Sequence, residues 1–158
     1  MKAALTIVSG GQTGVDRAAL DAALEAGVPC GGWCPAGRRA EDGIIPRRYP
    51  VRVLRGSDYV TRTRRNVQDS DGTAIIFFGV AEGGTEQTRL FCLAEKKPLL
   101  QLDALALTPR QAAARLKQFI RKCKIHRLNL AGPRASKEPR AHAFALAALR
   151  ALLSSLTV

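Results

Sequence analysis

The chain has few aromatic residues and no long apolar run. Aromatic side chains make up 5% of its 158 residues, so we expect an aliphatic core. No apolar run reaches the roughly 18 residues that a membrane span requires, and the start MKAALTIV enters a strand pattern without a signal-peptide cleavage site. This length, with 46% hydrophobic residues, suits a single folded domain over residues 1–158. The expected protein is cytoplasmic and has no membrane partner.

Cysteine and histidine are scarce, and their spacing does not suit a metal site. The four cysteines, Cys30, Cys34, Cys92 and Cys123, form no CxxC pair and are not spaced for ligation with the two histidines. Neither a zinc site nor a disulfide framework is therefore predicted. Cys34 differs in position, because in the stretch GWCP it directly follows a predicted strand. It could add a soft thiolate ligand there, or it could be structural.

Acidic residues are few, at 13 against 25 lysines and arginines, which gives a formal net charge of +12. The imbalance is concentrated between Arg110 and Arg150, where eleven Lys or Arg accompany a single acid, Glu138. Such a basic face can attract a polyanion, nucleic acid included, or a phosphorylated ligand. A solvated surface explains the same charge equally well.

Apolar strand-like runs alternate with helical patterns along the chain. Strands are predicted at residues 3–8, 30–33, 51–54, 73–78, 98–102 and 125–130, and helices at 15–26, 59–69, 85–96, 109–124 and 138–153. The run TAIIFF is apolar throughout, which is typical of a strand buried on both faces of a parallel sheet. The alternation predicts an α/β fold, with a Rossmann-like, doubly wound, mainly parallel sheet and helices on both faces.

Two glycine-rich loops connect predicted strands to predicted helices. Gly10-Gly11-Gln12-Thr13-Gly14 follows the first strand, and Glu82-Gly83-Gly84-Thr85 follows TAIIFF. In an open α/β sheet, ligands bind outside the carboxyl ends of the strands. Glycines allow the backbone a close approach, and the amides at a helix N-terminus favour an anion. We expect the loops to hold a phosphate together; the alternative is that each is only a tight turn, the first one capped by Thr13.

The common nucleotide-binding motifs are absent. The first loop has the spacing GGxxG instead of GxGxxG, and no acid follows the second strand to bind a ribose. The pattern GxxxxGK[ST] is missing as well, since the helix start carries no lysine. These absences argue against NAD-dependent enzymes and P-loop ATPases.

Several segments, taken in order, resemble one known family. They are SGGQTGVDRAALDAAL, GGWCPAGRRAEDGIIPRRYP, RTRRNVQDSDGTAIIFF, GGTEQT and KPLLQLD. Over residues 5–103 they resemble the family of molybdenum carrier proteins, a branch of a Rossmann-like superfamily that also contains the cytokinin-activating phosphoribohydrolases. From residue 110 onward we find no family motif. The resemblance implies a homo-oligomer that binds molybdenum cofactor (molybdopterin), a pterin with a terminal phosphate, or another small phosphorylated, nucleotide-like ligand.

The family's patterns imply ligand-binding residues in four segments of this chain. The first is the loop Gly10, Gly11, Gln12, Thr13 and Gly14, with Asp16 and Arg17 in the helix behind it. The others are Arg38 and Arg39, which could clamp a phosphate; Arg62, Thr63 and Asn66, which share a helical face; and Gly83, Gly84, Thr85 and Thr88. Asp16 could instead simply satisfy the helix dipole, and Arg38 and Arg39 could be solvated loop residues.

Three classes of function remain open, of which binding without catalysis is favoured. The phosphoribohydrolases carry the pattern GGxGTxxE, whereas here Thr88 stands where the acid is expected, which leaves Glu82 and Glu86 as the nearby acids. The helix dipole should also keep Asp16 ionised and weakly basic, so no catalytic residue is predicted. Single-stranded DNA binding would suit the positive charge, but aromatic side chains for base stacking are few.

Overall fold

The described residues, 5–56 and 58–156 in a computed structural model, form nine strands and five α-helices. The strands are β1 Thr6–Val8, β2 Cys30–Gly31, β3 Trp33–Cys34, β4 Arg39–Ala40, β5 Gly43–Ile44, β6 Arg52–Val53, β7 Gly72–Phe77, β8 Leu99–Asp103 and β9 Arg127–Ala131. The helices are α1 Val15–Ala26, α2 Tyr59–Gln68, α3 Gly83–Ala94, α4 Pro109–Lys122 and α5 Ala141–Leu156. Residues 3 and 4 of the first predicted strand lie outside the described residues.

The last strand of the chain lies at the centre of the main sheet. The sheet has five parallel strands in the order β2-β1-β9-β7-β8. Ile7 of β1 pairs with Leu128 of β9, and Thr73 of β7 pairs with Asn129 on the other side. If β9 is numbered 1 and the numbering continues with β1, β2, β7 and β8 as 2 to 5, the order of the strands is 3-2-1-4-5. This is the arrangement of a Rossmann-type doubly wound sheet. The predicted fold class is therefore confirmed.

Helices cover the sheet on both faces. Helices α1 and α4 pack on α5 on one side, and α2 and α3 pack together on the other. The main core is aliphatic, as the composition predicts, and includes Ile7, Ile76, Leu116, Leu128, Leu130 and Leu149. Within the described ranges, no helix is both long and apolar enough to cross a membrane.

The predicted second strand is divided in two at Gly32. Residues Cys30 and Gly31 belong to the main sheet, whereas Trp33 and Cys34 pair with β6 in a separate two-stranded sheet. Gly32 has a φ of +140°, and a Cβ there would collide with the backbone of Ser9. The chain thus leaves the main sheet at a residue where only glycine fits.

The helix termini follow local sequence signals, with small shifts. Thr108 caps α4, because its Oγ1 accepts a hydrogen bond from the Gln111 amide at 3.2 Å and the Gln111 side chain accepts one from the Thr108 amide. Helix α3 begins at Gly83, two residues earlier than predicted. Helix α5 begins at Ala141, three residues later than predicted.

Gly14 joins the first loop to the segment that follows β9. Its φ is +79°, and a Cβ there would overlap the Pro133 carbonyl oxygen. The Val15 amide donates to the same carbonyl at 3.3 Å. The N-terminus of α1 therefore packs directly on the backbone of the last loop, where a side chain has no room.

Gly14→Ala should destabilise the protein by about 2 kcal/mol or more, because it combines a positive φ with a collision against backbone. Gly27→Ala is the matched control at the other end of α1: its φ is +68°, but a Cβ there meets nothing within 4 Å. We expect the control to cost about 1 kcal/mol. Urea unfolding measures both, and equal losses would contradict the proposed contact.

Candidate anion-binding site

Three strand-to-helix connections meet at the carboxyl edge of the main sheet. They are residues 9–14 after β1, residues 78–82 after β7 and residues 132–140 after β9. A cavity of about 320 Å³ lies between them. In the order counted from β9, this is the place where the winding of the sheet reverses, which is where open α/β sheets bind ligands.

Many of the predicted site residues line this cavity. They are Gly10, Gln12, Asp16, Arg62, Thr63, Asn66, Gly84, Thr85 and Thr88. They come from the first loop, from α1 and α2, and from the first turns of α3. The structure thus brings together three of the four segments that the sequence suggests.

Arg62 is the most unusual of these residues. Its side chain is only 4% exposed, and its Nε has no hydrogen-bond partner. Nη1 lies 3.9 Å from Oδ2 of Asp16, which is too far for a hydrogen bond. A buried, incompletely paired guanidinium is costly, because the hydrogen bonds that it made to water are lost without replacement.

Glycine in both loops makes room for Arg62 and for Tyr59, one turn before it on α2. A Cβ at Gly10 would collide with Nη1 of Arg62, and a Cβ at Gly84 would lie 2.6 Å from the Tyr59 hydroxyl. The Arg62 guanidinium lies 4.3 Å from the centroid of the Tyr59 ring. This cation–π contact holds the charge in place without supplying hydrogen bonds to its N–H groups.

Asp16 is not the ordinary helix-terminal carboxylate that the sequence suggests. It is 8% exposed, and burial raises its pKa to about 6, although Arg62 and the Gln12 amide act in the opposite direction. The expectation that the helix dipole keeps Asp16 weakly basic is therefore wrong, because loss of solvent outweighs the nearby positive charge.

Thr13 of the first loop and Arg17 of α1 do not line the cavity, and both bond the turn of the hairpin formed by β4 and β5. Arg17 bonds both oxygens of Asp42, at 3.0 and 3.1 Å, and the carbonyl of Gly11 at 3.0 Å. Thr13 bonds the Glu41 side chain and accepts a hydrogen bond from the amide of Ala135 at 3.1 Å. Thr13 is therefore not the cap of α1, whose N-cap is Gly14 without a side-chain hydrogen bond.

Gly11, Gly14 and Gly83 also lie outside the cavity lining. Gly11 faces Ile45, and its amide donates to the Ser9 hydroxyl at 3.2 Å. All three residues have positive φ, a backbone conformation that glycine adopts readily, so glycine is needed there for the course of the backbone and not for contact with a ligand.

Arg38 and Arg39 do not reach the cavity. The Arg38 guanidinium donates instead to four backbone carbonyls of its own loop, those of Ile45, Pro46, Tyr49 and Val51, at 2.8 to 3.1 Å. Arg39 is exposed on β4. Arg38 therefore holds residues 38–51 in shape, a role that its position in the sequence does not reveal.

Cys34 and Trp33 likewise have structural positions. Cys34 is fully buried beside Leu20 and Tyr49, and burial raises the pKa of its thiol. The Trp33 indole donates to Asp69 at 2.7 Å, and neither residue lines the cavity. Across residues 5–56 and 58–156, no group of three or more His, Cys, Asp or Glu side chains could hold a metal ion.

The segment after β9 supplies site residues that the sequence analysis missed. The lining residues from β9 and this segment are Asn129, Leu130, Ala131, Gly132, Pro133, Arg134, Lys137 and Glu138, and the wall is completed by Tyr59, Phe77, Phe78, Val80 and Glu82. The sequence does contain an indication of these residues, because the stretch AGPR directly follows a predicted strand. Loops that follow strands are where open α/β sheets bind ligands. The basic residues between Arg110 and Arg150 therefore fall into two groups. Arg134 and Lys137 line the cavity. Others lie exposed on α4, namely Arg110, Arg115 and Arg121.

The parallel sheet, with a cavity large enough for a ligand where the winding of the sheet reverses, is that of a Rossmann-like α/β protein. The sequence model of the circularly permuted YpsA SLOG family matches residues 7–153, and the chain belongs to this family. The match extends well past residue 103, so the C-terminal third is part of the family pattern, contrary to expectation.

A crystal structure is similar over almost the whole chain. It is the "Putative molybdenum carrier protein" of Syntrophus aciditrophicus SB, with 43% sequence identity, 96% of each chain covered and a TM-score of 0.92. Among curated proteins none matches. The resemblance drawn from the sequence segments is confirmed.

Asp16→Asn should change how stability depends on pH. A carboxyl whose pKa rises to about 6 on folding, from about 4 in the unfolded chain, stabilises the folded state at low pH. That contribution, about 3 kcal/mol, is lost as the pH rises from about 4 through 6. The wild type should therefore lose stability over this range relative to Asp16→Asn in urea unfolding.

Glu25→Gln on the same helix is the control. Its side chain pairs with Arg150, which holds the pKa of Glu25 below its usual range. This variant keeps Asp16, so its stability should fall with pH as that of the wild type does, and the wild type should lose no stability relative to it between pH 4 and 7. Parallel curves for the wild type and Asp16→Asn would show that Asp16 titrates normally.

Proposed function

We propose that this chain binds a small phosphorylated, nucleotide-like ligand in the cavity, with molybdenum cofactor as its cargo. The observation that carries the proposal is the buried Arg62, a residue of the cavity lining whose Nε lacks a hydrogen-bond partner. An anion at the guanidinium would give Arg62 charge-assisted hydrogen bonds, which from arginine to phosphate are among the strongest in proteins.

The N-terminus of α3 supports an anion at the same place. The helix begins at Gly83, and its N-cap residue Glu82 makes no side-chain hydrogen bond to the first turn. The Thr85 amide donates to the Glu82 carbonyl at 3.0 Å. The amides of Gly83 and Gly84, the first two of the helix, lie at its positive dipole end. Gly84 and Thr85, at this end, line the cavity together with Arg62.

The remainder of the cavity suits a flat heterocycle better than a lone oxyanion. Its volume of about 320 Å³ falls within the range of small-molecule sites. The buried Asn129 lies in the lining with Phe77 and Phe78. Apolar rings with a few polar groups are the usual lining of such sites.

The name of the crystallographic relative directs the choice of cargo. That protein is called a molybdenum carrier, and the likeness extends over 96% of both chains. We infer that the terminal phosphate of the pterin is the group that Arg62 and α3 hold. A homo-oligomer, implied by the family resemblance, remains a prediction that mass measurement in solution would test.

Arg62→Gln should weaken binding of a phosphorylated pterin by about 10- to 100-fold, the value of one or two charge-assisted hydrogen bonds. Arg64→Gln is the matched control, since it removes a guanidinium from the same helix that is 55% exposed and paired with Glu95. Calorimetric titration measures both, with circular dichroism to verify the fold. Equal affinities for the two variants would remove Arg62 from the site.

A phosphoribohydrolase-like enzyme is the second candidate, and Asp16 is the observation that favours it. A carboxyl with a pKa near 6 inside a cavity can act as a general acid or base near neutral pH. Glu82 and Glu138 line the cavity too, whereas Glu86 is paired with Arg89 at 2.6 Å outside it. His142 bonds Asp21 at 2.9 Å and does not reach the cavity.

The carrier function predicts no release of free base from nucleoside monophosphates above the rate without protein. It also predicts that molybdenum cofactor is oxidised by air more slowly when the protein is present, because a bound cofactor is shielded from solvent. Chromatography of free base and a cofactor-dependent enzyme assay measure the two effects. Base release that Asp16→Asn or Glu82→Gln abolishes would establish the enzyme instead.

A further inference from the structure

Asp16 and Arg62 approach the same point of the cavity wall. The position that a Cβ on Gly10 would take lies 3.1 Å from Oδ2 of Asp16 and in collision with Nη1 of Arg62. Both side chains are almost fully buried, at 11% and 4% exposure. An anion oxygen that accepts a hydrogen bond from this Nη1 therefore lies within about 7 Å of the carboxylate.

Few other charges act on Asp16. Arg62 faces it from α2, and the Gln12 amide faces it from the first loop. Arg17, its neighbour on α1, also acts to lower the pKa of Asp16, although its guanidinium bonds Asp42 and the Gly11 carbonyl. The other charged residues of the cavity lining, Glu82 before α3 and Arg134, Lys137 and Glu138 before α5, come from the two remaining loops.

An ionised Asp16 would oppose the anion that Arg62 attracts. Two negative groups at this separation repel strongly where water is scarce, and the usual result is protonation of one of them. A protonated carboxyl removes the repulsion and becomes a hydrogen-bond donor. Asp16 is prepared for this change, because burial already raises its pKa to about 6 in the protein without ligand.

We propose that Asp16 takes up one proton from solvent when an anion binds at Arg62, so that the site binds phosphorylated ligands more tightly in mild acid and releases them as the pH rises. The proposal rests on the anion site of the proposed function. It adds a proton as a second component of the complex. A carrier built in this way releases its cargo without any chemical step.

Sulfate is the probe that separates this effect from titration of the ligand, because it stays a dianion across the pH range, whereas a phosphate monoester titrates near pH 6. Unbuffered protein is mixed with sulfate at pH 7 in a pH-stat, at ionic strength matched with chloride. We expect the wild type to take up between half and one proton per bound sulfate. Its affinity for sulfate should fall about tenfold between pH 6 and pH 8.

Asp16→Asn, an isosteric change, should bind sulfate with no proton uptake and with affinity nearly independent of pH. Glu25→Gln, which removes an exposed carboxylate from the same helix, should behave as the wild type. Sulfate binding by the wild type without proton uptake would overturn the proposal and leave the anion site intact, and so would equal uptake by Asp16→Asn. Wild-type sulfate binding that Arg62→Gln does not weaken would overturn both the proposal and the anion site.

Discussion

The site depends on the burial of one charged group, the Arg62 guanidinium, beside the two glycine loops. Gly10 leaves the space for the cation, and Tyr59, itself packed on Gly84, covers its face. A charge in such a place is tolerated only if something completes its hydrogen bonds. Asp16, 3.9 Å away and with its pKa raised to about 6, is a poor partner. The geometry is that of a site prepared for an external anion.

The position of β9 explains why this burial occurs at the centre of the sheet edge. A strand from the end of the chain separates β1 from β7, so the loops that follow all three strands face one another. Counting from β9 restores the Rossmann-type order, and the segment 132–140 becomes its first strand-to-helix connection. Gly132 packs there against Val15 and the carbonyl of Ile76, with no room for a Cβ. This fits the description of the family as circularly permuted.

Local patterns in the sequence were enough to predict the strands of the main sheet, the five helices, the fold class and part of the cavity lining, but not the short strands β4 and β5. The glycine loops mark strand-to-helix junctions, and the spacing of Arg62 and Asn66 marks a helix face, because both features depend only on near neighbours. The place of β9 depends on pairing between residues more than a hundred positions apart, such as Ile7 and Leu128. Arg38 and Asp16 resisted prediction for a related reason: their roles follow from burial, which the whole fold decides.

A crystal structure with a bound phosphorylated pterin tests the central claim most directly. The account predicts a phosphate oxygen within hydrogen-bond distance of the Arg62 guanidinium and the N-terminus of α3, with the ring system near Asn129 and Phe78. A ligand bound elsewhere, with Nε of Arg62 still lacking a partner, would contradict it.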